Sequence, residues 1–344
     1  MTERNLAFNL LRGALNGEAP HLGTNPIEAN VWWSLFRMLQ RNHVAALASL
    51  AIENLDMPRE VMIPWLAERE KAERWHRYQR EVQQDIVDTM ARHGIETLVL
   101  KGTHTAQYYP VAELREFGDI DLYFTKHKEA DAVAKRCMGV EPSNDSHHHT
   151  KYDYRGVTIE SHYDFVNSHY PPSNRSYEKI LKQLAPSPTF EILFLLRHMA
   201  VHFAASRITL RDVVDWHLTC RALNDKADWT LIQKTINGYG MGRFAAALCH
   251  ITEHRFGNKT PLNFAVGPDS LQDAEMVEKD IILEHSATAD NEKNGIDRLA
   301  WKMRRHRANR WKQRMVYGGD SAISLLVSSL LSHAMKPQSI LHKM

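Results

Sequence analysis

Apolar residues recur at helical spacing towards both ends of the chain and at strand spacing only in the middle. Residues 3–16 and 26–54 are predicted as helices; in the second, Val31, Trp32, Leu35, Met38, Leu39 and Val44 fall at helical spacing behind an Asn25-Pro26 entry. Pro58 and Pro64 punctuate the next segment. Residues 65–93 then run through strong helix formers without Gly or Pro, with Trp75, Tyr78, Val82, Ile86 and Met90 as the stripe expected to be buried. Past Gly94-Ile95 the pattern shortens to a strand over 96–100, a short helix over 103–109, a strand over 118–124 and a helix over 128–138 stopped by Gly139. Strands over 151–154 and 157–163 flank Arg155-Gly156, which reads as a hairpin turn. From 177 onward the pattern is helical again: a nearly all-apolar core helix over 190–205, then helices over 210–223, 228–237 and 240–256. Residues 257–295, with their Gly, Pro, Asp and Asn, are expected to be the loosest part and to include a loop, and 321–335 a short apolar helix.

Strand, helix, strand, helix and hairpin in succession describe a small mixed sheet backed by helices. The expected fold class is therefore α+β, with an N-terminal helical region over 1–93, a sheet-bearing core over 94–175 and a C-terminal helical domain over 176–344. There is no internal repeat and no low-complexity tract.

Composition narrows the function classes. At 344 residues, 43% hydrophobic and 24% charged, the chain can bury a sizeable core. A net charge of +2 excludes an overall electrostatic nucleic-acid binder, so any polyanion contact has to come from a local patch. The best such patch is the segment 301–314, dense in Lys and Arg with Trp301 and Trp311, though a solvated helix is the plainer reading. Cys137, Cys220 and Cys249 are isolated and show neither a disulfide framework nor a zinc spacing. The N-terminus does not read as a signal peptide and no apolar run approaches the ~20 residues that span a bilayer, so a cytoplasmic protein is expected, with no membrane partner.

The candidate chemistry lies in the middle. Along the strand over 118–124, side chains alternate, so Asp119 and Asp121 share one face and Ile120 and Leu122 the other. Two adjacent carboxylates repel and resist desolvation, which calls for a cation; Mg²⁺ is commonly held by one or two carboxylates plus substrate phosphates. An Asp-x-Asp pair alone is short and common. Its setting gives it meaning: a strand, a Lys101-Gly102 break after an apolar run, and Gly118 just before the pair. Glu160, sharing a strand face with His162, is the candidate third carboxylate, the alternative being an exposed strand glutamate. These positions suggest metal-dependent phosphoryl or nucleotidyl transfer.

Other polar residues have blander expected roles. His147-His148-His149 follows Asn144-Asp145-Ser146, an exposed turn, and adjacent loop residues seldom converge on one ion. His198 and His202, one helical turn apart, carry no metalloprotease glutamate and are expected as core or capping histidines. Asp212 and Asp215 are expected to orient Arg207 or Arg211 and to set their helix against the sheet.

The run Leu100-Lys101-Gly102, Tyr109-Pro110, Arg115 and Gly118-Asp119-Ile120-Asp121-Leu122 resembles the signature of the uncharacterised nucleotidyltransferase family within the DNA polymerase β-like superfamily. Ile159-Glu160-Ser161-His162-Tyr163 is similar to that family's following strand, and Leu210-Arg211-Asp212-Val213-Val214-Asp215 to its helical C-terminal half; the resemblance covers roughly residues 75–220. It implies a polymerase β-like core in which Asp119, Asp121 and Glu160 are the catalytic and metal carboxylates. The ion would be Mg²⁺, with Mn²⁺ as the alternative, and a nucleoside triphosphate such as ATP would be the donor. Lys101, Gly102, Thr103, Arg115 and Gly118 would then contact the nucleotide, with Arg115 alternatively a structural partner of the carboxylates. The sequence departs from the wider superfamily in having Lys101-Gly102-Thr103 where a Gly-Ser pair is usual, and Glu160 where Asp is usual. The acceptor stays open between small molecule, protein and RNA. Two other readings compete: a catalytically silent nucleotide-binding or regulatory member, and an Asp-x-Asp glycosyltransferase.

Overall fold

A computed structural model describes residues 2–282 except 25, 54, 56, 144 and 145, and then 304, 307–321, 323–325, 327, 328 and 331. It is an α+β protein. Helices α1 (Glu3–Asn16), α2 (Ala29–Arg41), α3 (Ala45–Ala48) and α4 (Arg59–Arg92) precede the sheet unit. That unit contains β1 (Thr97–Val99), α5 (Thr103–Ala106), β2 (Asp119–Phe124), α6 (His127–Val133), β3 (His149–Tyr154) and β4 (Val157–His162). Helices α7 (Asn174–Leu184), α8 (Pro188–Ala205), α9 (Leu210–Ala222), α10 (Trp229–Gly238), α11 (Gly242–Phe256) and α12 (Pro268–Ile282) follow, and a last described helix spans Arg310–Val316.

The four strands lie in the order β1-β2-β4-β3, with β1 antiparallel to β2, β2 parallel to β4 and β3 antiparallel to β4. The β3–β4 hairpin closes through Arg155 and Gly156, at φ 52° and 74°. Left-handed conformation at both central residues matches the right-handed twist of the flanking strands.

Two apolar cores hold the chain together. One joins α1–α3 and the start of α4 to α7–α12, so helices from both ends of the sequence share it. The other lies between the sheet and the helices behind it: Ile120, Leu122 and Ile159 pack on Val82, Ile86 and Met90 of α4 and on Ala130 and Val133 of α6. The 34-residue α4 enters both cores, through Val61 and Trp65 in the first and Val82 onward in the second. No helix among the described residues is long and apolar enough to cross a membrane.

Four sequence expectations need revision. The helix expected over 26–54 stops at Arg41, because Asn42 turns its amide back to the Met38 carbonyl (2.9 Å) and its Oδ1 accepts from Leu210 N of α9 (3.2 Å). The long helix begins at Arg59 and runs through Pro64, which has no N–H to give the Glu60 carbonyl and so removes one bond of the ladder. On its buried face, Trp75 is 41% exposed, while His76 and Gln79 turn inward. His76 packs edge-on against Phe117, and Gln79 donates to the Phe117 carbonyl (3.2 Å), so this face reads polar because it grips a loop. Within 257–295, expected to be the loosest part, Pro268 starts α12, whose Ala274, Val277 and Ile281 are buried, while 283–295 lie outside the described residues. Much of 301–314 and 321–335 lies outside the described residues. Where the basic segment is described, Trp311 stands edge-on to Phe203 (5.4 Å) and Lys312 is buried, donating to Asp280 Oδ2 (2.6 Å).

Candidate active site

Strand alternation does the first sorting. Asp121 stands opposite Glu160 in the parallel β2–β4 ladder, and Lys151 and His149 of β3 stand opposite Glu160 and His162. Residues paired across a ladder point to the same side. One face therefore carries Asp119, Asp121, Glu160, His162, His149 and Lys151, and the other faces the apolar core. A one-residue slip of β4 would put Ile159 among the carboxylates and Glu160 in the core, so the pattern itself pins the register.

Lysine and histidine side chains gather on the acidic face. Lys101, just past β1, places Nζ 3.1 Å from Asp121 Oδ2 and 3.1 Å from Nε2 of His198 on α8. His162 Nε2 lies 3.2 Å from Asp121 Oδ1 and 3.6 Å from Glu160 Oε2. His149 Nδ1 and Lys151 Nζ each lie 3.5 Å from Glu160. Asp119 has no hydrogen-bond or ion-pair partner among the described residues.

The ionisation of these groups follows from that layout. Burial, and then the neighbouring Asp121 charge, push the Asp119 carboxyl above its ordinary range. Burial would do the same to Asp121, but Lys101 and His162 outweigh it and hold Asp121 well below the usual carboxylate range. Glu160 is likewise lowered, burial being overcome chiefly by the His162 hydrogen bond. Burial disfavours charge on His162, yet Asp121 and Glu160 lift its pKa to about 9. Burial takes His149 down to about 4, and holds His148 and His198 well below the ordinary histidine value.

A second group of residues shapes the approach to the face. Gly102 has φ 63° and ψ −115°, a conformation that L side chains rarely adopt, and a Cβ there would lie 3.3 Å from the Phe117 ring. Its carbonyl accepts from Arg115 Nη1 (3.2 Å). Arg115, buried, makes a two-pronged pair with Asp215 of α9 (Nε to Oδ1 2.9 Å, Nη2 to Oδ2 2.7 Å), and Tyr109 donates to the same Oδ1 (2.6 Å). Thr103 Oγ1 donates to Gln83 of α4 (2.6 Å), and Gly118 is exposed just before β2. Of the residues expected at the nucleotide, Lys101 thus reaches the carboxylates. Gly102 forms the turn, Thr103 ties that turn to α4, and Arg115 braces it against α9. The guanidinium is committed to Asp215 instead of being offered to phosphate. Asp215, expected to orient Arg207 or Arg211, orients Arg115, while Asp212 caps α9 through Thr209 and pairs with Arg211 (3.3 Å).

The donor set suits a divalent cation. Asp121, Glu160 and His162 each offer one ligand atom, all within 4.8 Å of one another, and Asp119 lies two residues from Asp121 on the same face. The description "uncharacterised nucleotidyltransferase" belongs to a family whose model matches residues 28–257, from the approach to α2 to the end of α11. The chain belongs to this family. The matched span contains the whole sheet together with α4, α8 and α9, the elements that carry Gln83, His198 and Asp215. No curated protein and no solved structure matches the chain.

Beside Asp119, Asp121 and Glu160 the structure places three residues that sequence reasoning left out of the candidate site: His162, His149 and His198. His162 had a readable signal, because Glu160-x-His162 repeats the alternation of Asp119-x-Asp121. His198 had none, since only packing brings α8 over the sheet's polar face.

Proposed function

We propose that the protein is a divalent-metal-dependent nucleotidyltransferase that moves a nucleoside monophosphate from a nucleoside triphosphate to an acceptor hydroxyl or phosphate. The observation that carries this reading is the parallel pairing of β2 with β4, which sets Asp121 beside Glu160 on a face already bearing Asp119. Membership of the family supports the reaction class.

Asp119, Asp121 and Glu160 would hold the metal. When bound, a divalent ion neutralises phosphate charge and makes the α-phosphorus a better electrophile. The acceptor oxygen would form the new bond to that phosphorus, a hydroxyl acceptor giving its proton to solvent, while the bond to the bridging oxygen breaks and pyrophosphate leaves. Lys101, already within ion-pair distance of Asp121, supplies a mobile positive charge for the triphosphate. Gly102, with its left-handed backbone, turns the chain so that this lysine points at the carboxylates, and the Arg115–Asp215 pair keeps the turn rigid.

The silent, nucleotide-binding reading draws on one specific feature: Lys101 and His162 already balance Asp121 from within the protein. Equilibrium binding of labelled ATP with and without Mg²⁺ separates the two. The transferase reading expects binding that requires Mg²⁺ and is abolished by Asp119→Ala plus Asp121→Ala, with release of pyrophosphate when an acceptor is supplied. Binding unchanged in the double variant would overturn it, and Mg²⁺-independent binding would favour the silent reading.

A further inference from the structure

Three imidazoles meet at one edge of the acidic face. His148 lies in the bend before β3, and His149 is the strand's first residue. Because the bend precedes regular alternation, the two neighbours do not diverge: their ring centroids are 4.5 Å apart at a steep angle. His162, directly across the β3–β4 ladder from His149, brings its ring to 5.0 Å from His149 and 5.3 Å from His148. One nitrogen from each lies within 4.8 Å of the other two. In a tetrahedral site with metal–nitrogen bonds of about 2.0–2.1 Å, the nitrogens stand about 3.4 Å apart, so side-chain rotations of about an ångström close the set.

Two further observations point to a ligand between these rings. Nδ1 of His149 is buried without a hydrogen-bond partner, 3.5 Å from Glu160 Oε2. His162 Nδ1 faces the Asp164 carbonyl at 3.3 Å, and a carbonyl only accepts, so the proton on that ring sits at Nδ1. Its Nε2 then faces two carboxylates, Asp121 and Glu160, and needs either a second proton or a cation between them. His148 is similarly oriented from behind: its Nδ1 lies 3.1 Å from the Ser146 hydroxyl, leaving Nε2 for a ligand. Outer hydrogen bonds of this kind orient metal-binding histidines.

We propose that His148, His149 and His162, with the Glu160 carboxylate, form a binding site for a borderline divalent transition ion such as zinc or cobalt, next to the acidic pair. Imidazole nitrogen suits such ions, whereas Mg²⁺ prefers oxygen, so this site differs in chemistry from an all-carboxylate magnesium site. It goes beyond the transferase reading and shares Glu160 with it. The two sites lie side by side, one offering mainly oxygen and the other mainly nitrogen.

The test adds Co²⁺ to the metal-free full-length chain and follows visible absorption, with Zn²⁺ as competitor. A band typical of nitrogen-ligated Co²⁺, displaced by Zn²⁺, is expected. His148→Gln and His149→Gln should each weaken binding by more than about tenfold, while Asp119→Asn should change it by less than about twofold. Circular dichroism of each variant checks that it folds. Imidazole nitrogen NMR on the unmutated chain needs no variant: Zn²⁺ should shift the signals of His148, His149 and His162. Absence of a Co²⁺ band, a band indifferent to both histidine variants, or unshifted imidazole signals would each overturn the proposal. Loss of Mg²⁺-dependent ATP binding with the Co²⁺ band intact would sink the transferase reading alone, so the two failures are distinguishable.

Discussion

Arg115 shows how one residue's role depends on which partner reaches it first. Sequence reasoning offered it to triphosphate or to the carboxylates of the sheet; the fold gives it Asp215, a hundred residues away, in a buried two-pronged pair shared with Tyr109. Removing one member of a buried pair strands the other's charge in a low-dielectric site. Arg115→Leu is accordingly expected to cost about 3–5 kcal/mol in urea unfolding. The double variant Arg115→Leu/Asp215→Leu should recover much of that loss, because no uncompensated charge is left behind. Equal losses in the single and double variants would show that the pair is not an independent brace. The same logic of partners runs through the acidic face, where Asp119 and Asp121 differ by two positions but ionise in opposite directions because only Asp121 touches Lys101 and His162.

At the scale of elements, β2 and β4 are two-sided. Their polar sides carry the chemistry, and their apolar sides anchor it to α4. Ile159, the residue before Glu160, is fully buried in the core between the sheet and the helices behind it, so it holds the glutamate's strand in register. Ile159→Ala is expected to destabilise the protein by about 2–5 kcal/mol in thermal or urea unfolding, through lost burial plus the cavity left behind. A change below about 0.5 kcal/mol would mean that the sheet does not rest on that contact. Strand alternation made the faces of each strand legible in advance, Asp119 with Asp121 and Glu160 with His162, but left open whether Glu160 would meet the acidic pair. The long helix starts six residues earlier than its sequence pattern predicts, and of its expected stripe Val82, Ile86 and Met90 are buried while Trp75 is not. His76 and Gln79 look like solvent residues until Phe117 and its carbonyl arrive to satisfy them.

On the scale of the whole molecule, stability should depend on pH through histidines that fold in neutral. His217 on α9 packs against the Phe256 ring of α11, and its Nε2 is buried without a partner. Burial, aided by Arg221, takes its pKa down to about 4. The unfolded chain, with a histidine pKa of about 6.5, binds a proton below that pH, while the folded chain does not until about pH 4. Protons therefore favour unfolding, and stability falls as the pH drops between these values, by up to about 3 kcal/mol from this group. His217→Phe should flatten that part of the curve in unfolding measurements at pH 7 and pH 5; an unchanged slope would remove His217 from the account. The site's histidines are a poorer choice for this measurement, because metal binding would alter their protonation.

The amino-acid sequence by itself determined the α+β class, the alternation that sets Asp119 and Asp121 on one strand face and Glu160 and His162 on another, and the hairpin at Arg155-Gly156. Each of these is a local matter of period, turn geometry and side-chain direction, readable within a few residues. The β2–β4 pairing then joined the two faces. Tertiary structure alone decided the destinations of Arg115, His198 and the buried polar face of α4. It also decided that His148, His149 and His162 converge. Those outcomes depend on which distant surfaces pack together, and a charged or hydrogen-bonding side chain carries no mark in the sequence of the partner it will meet.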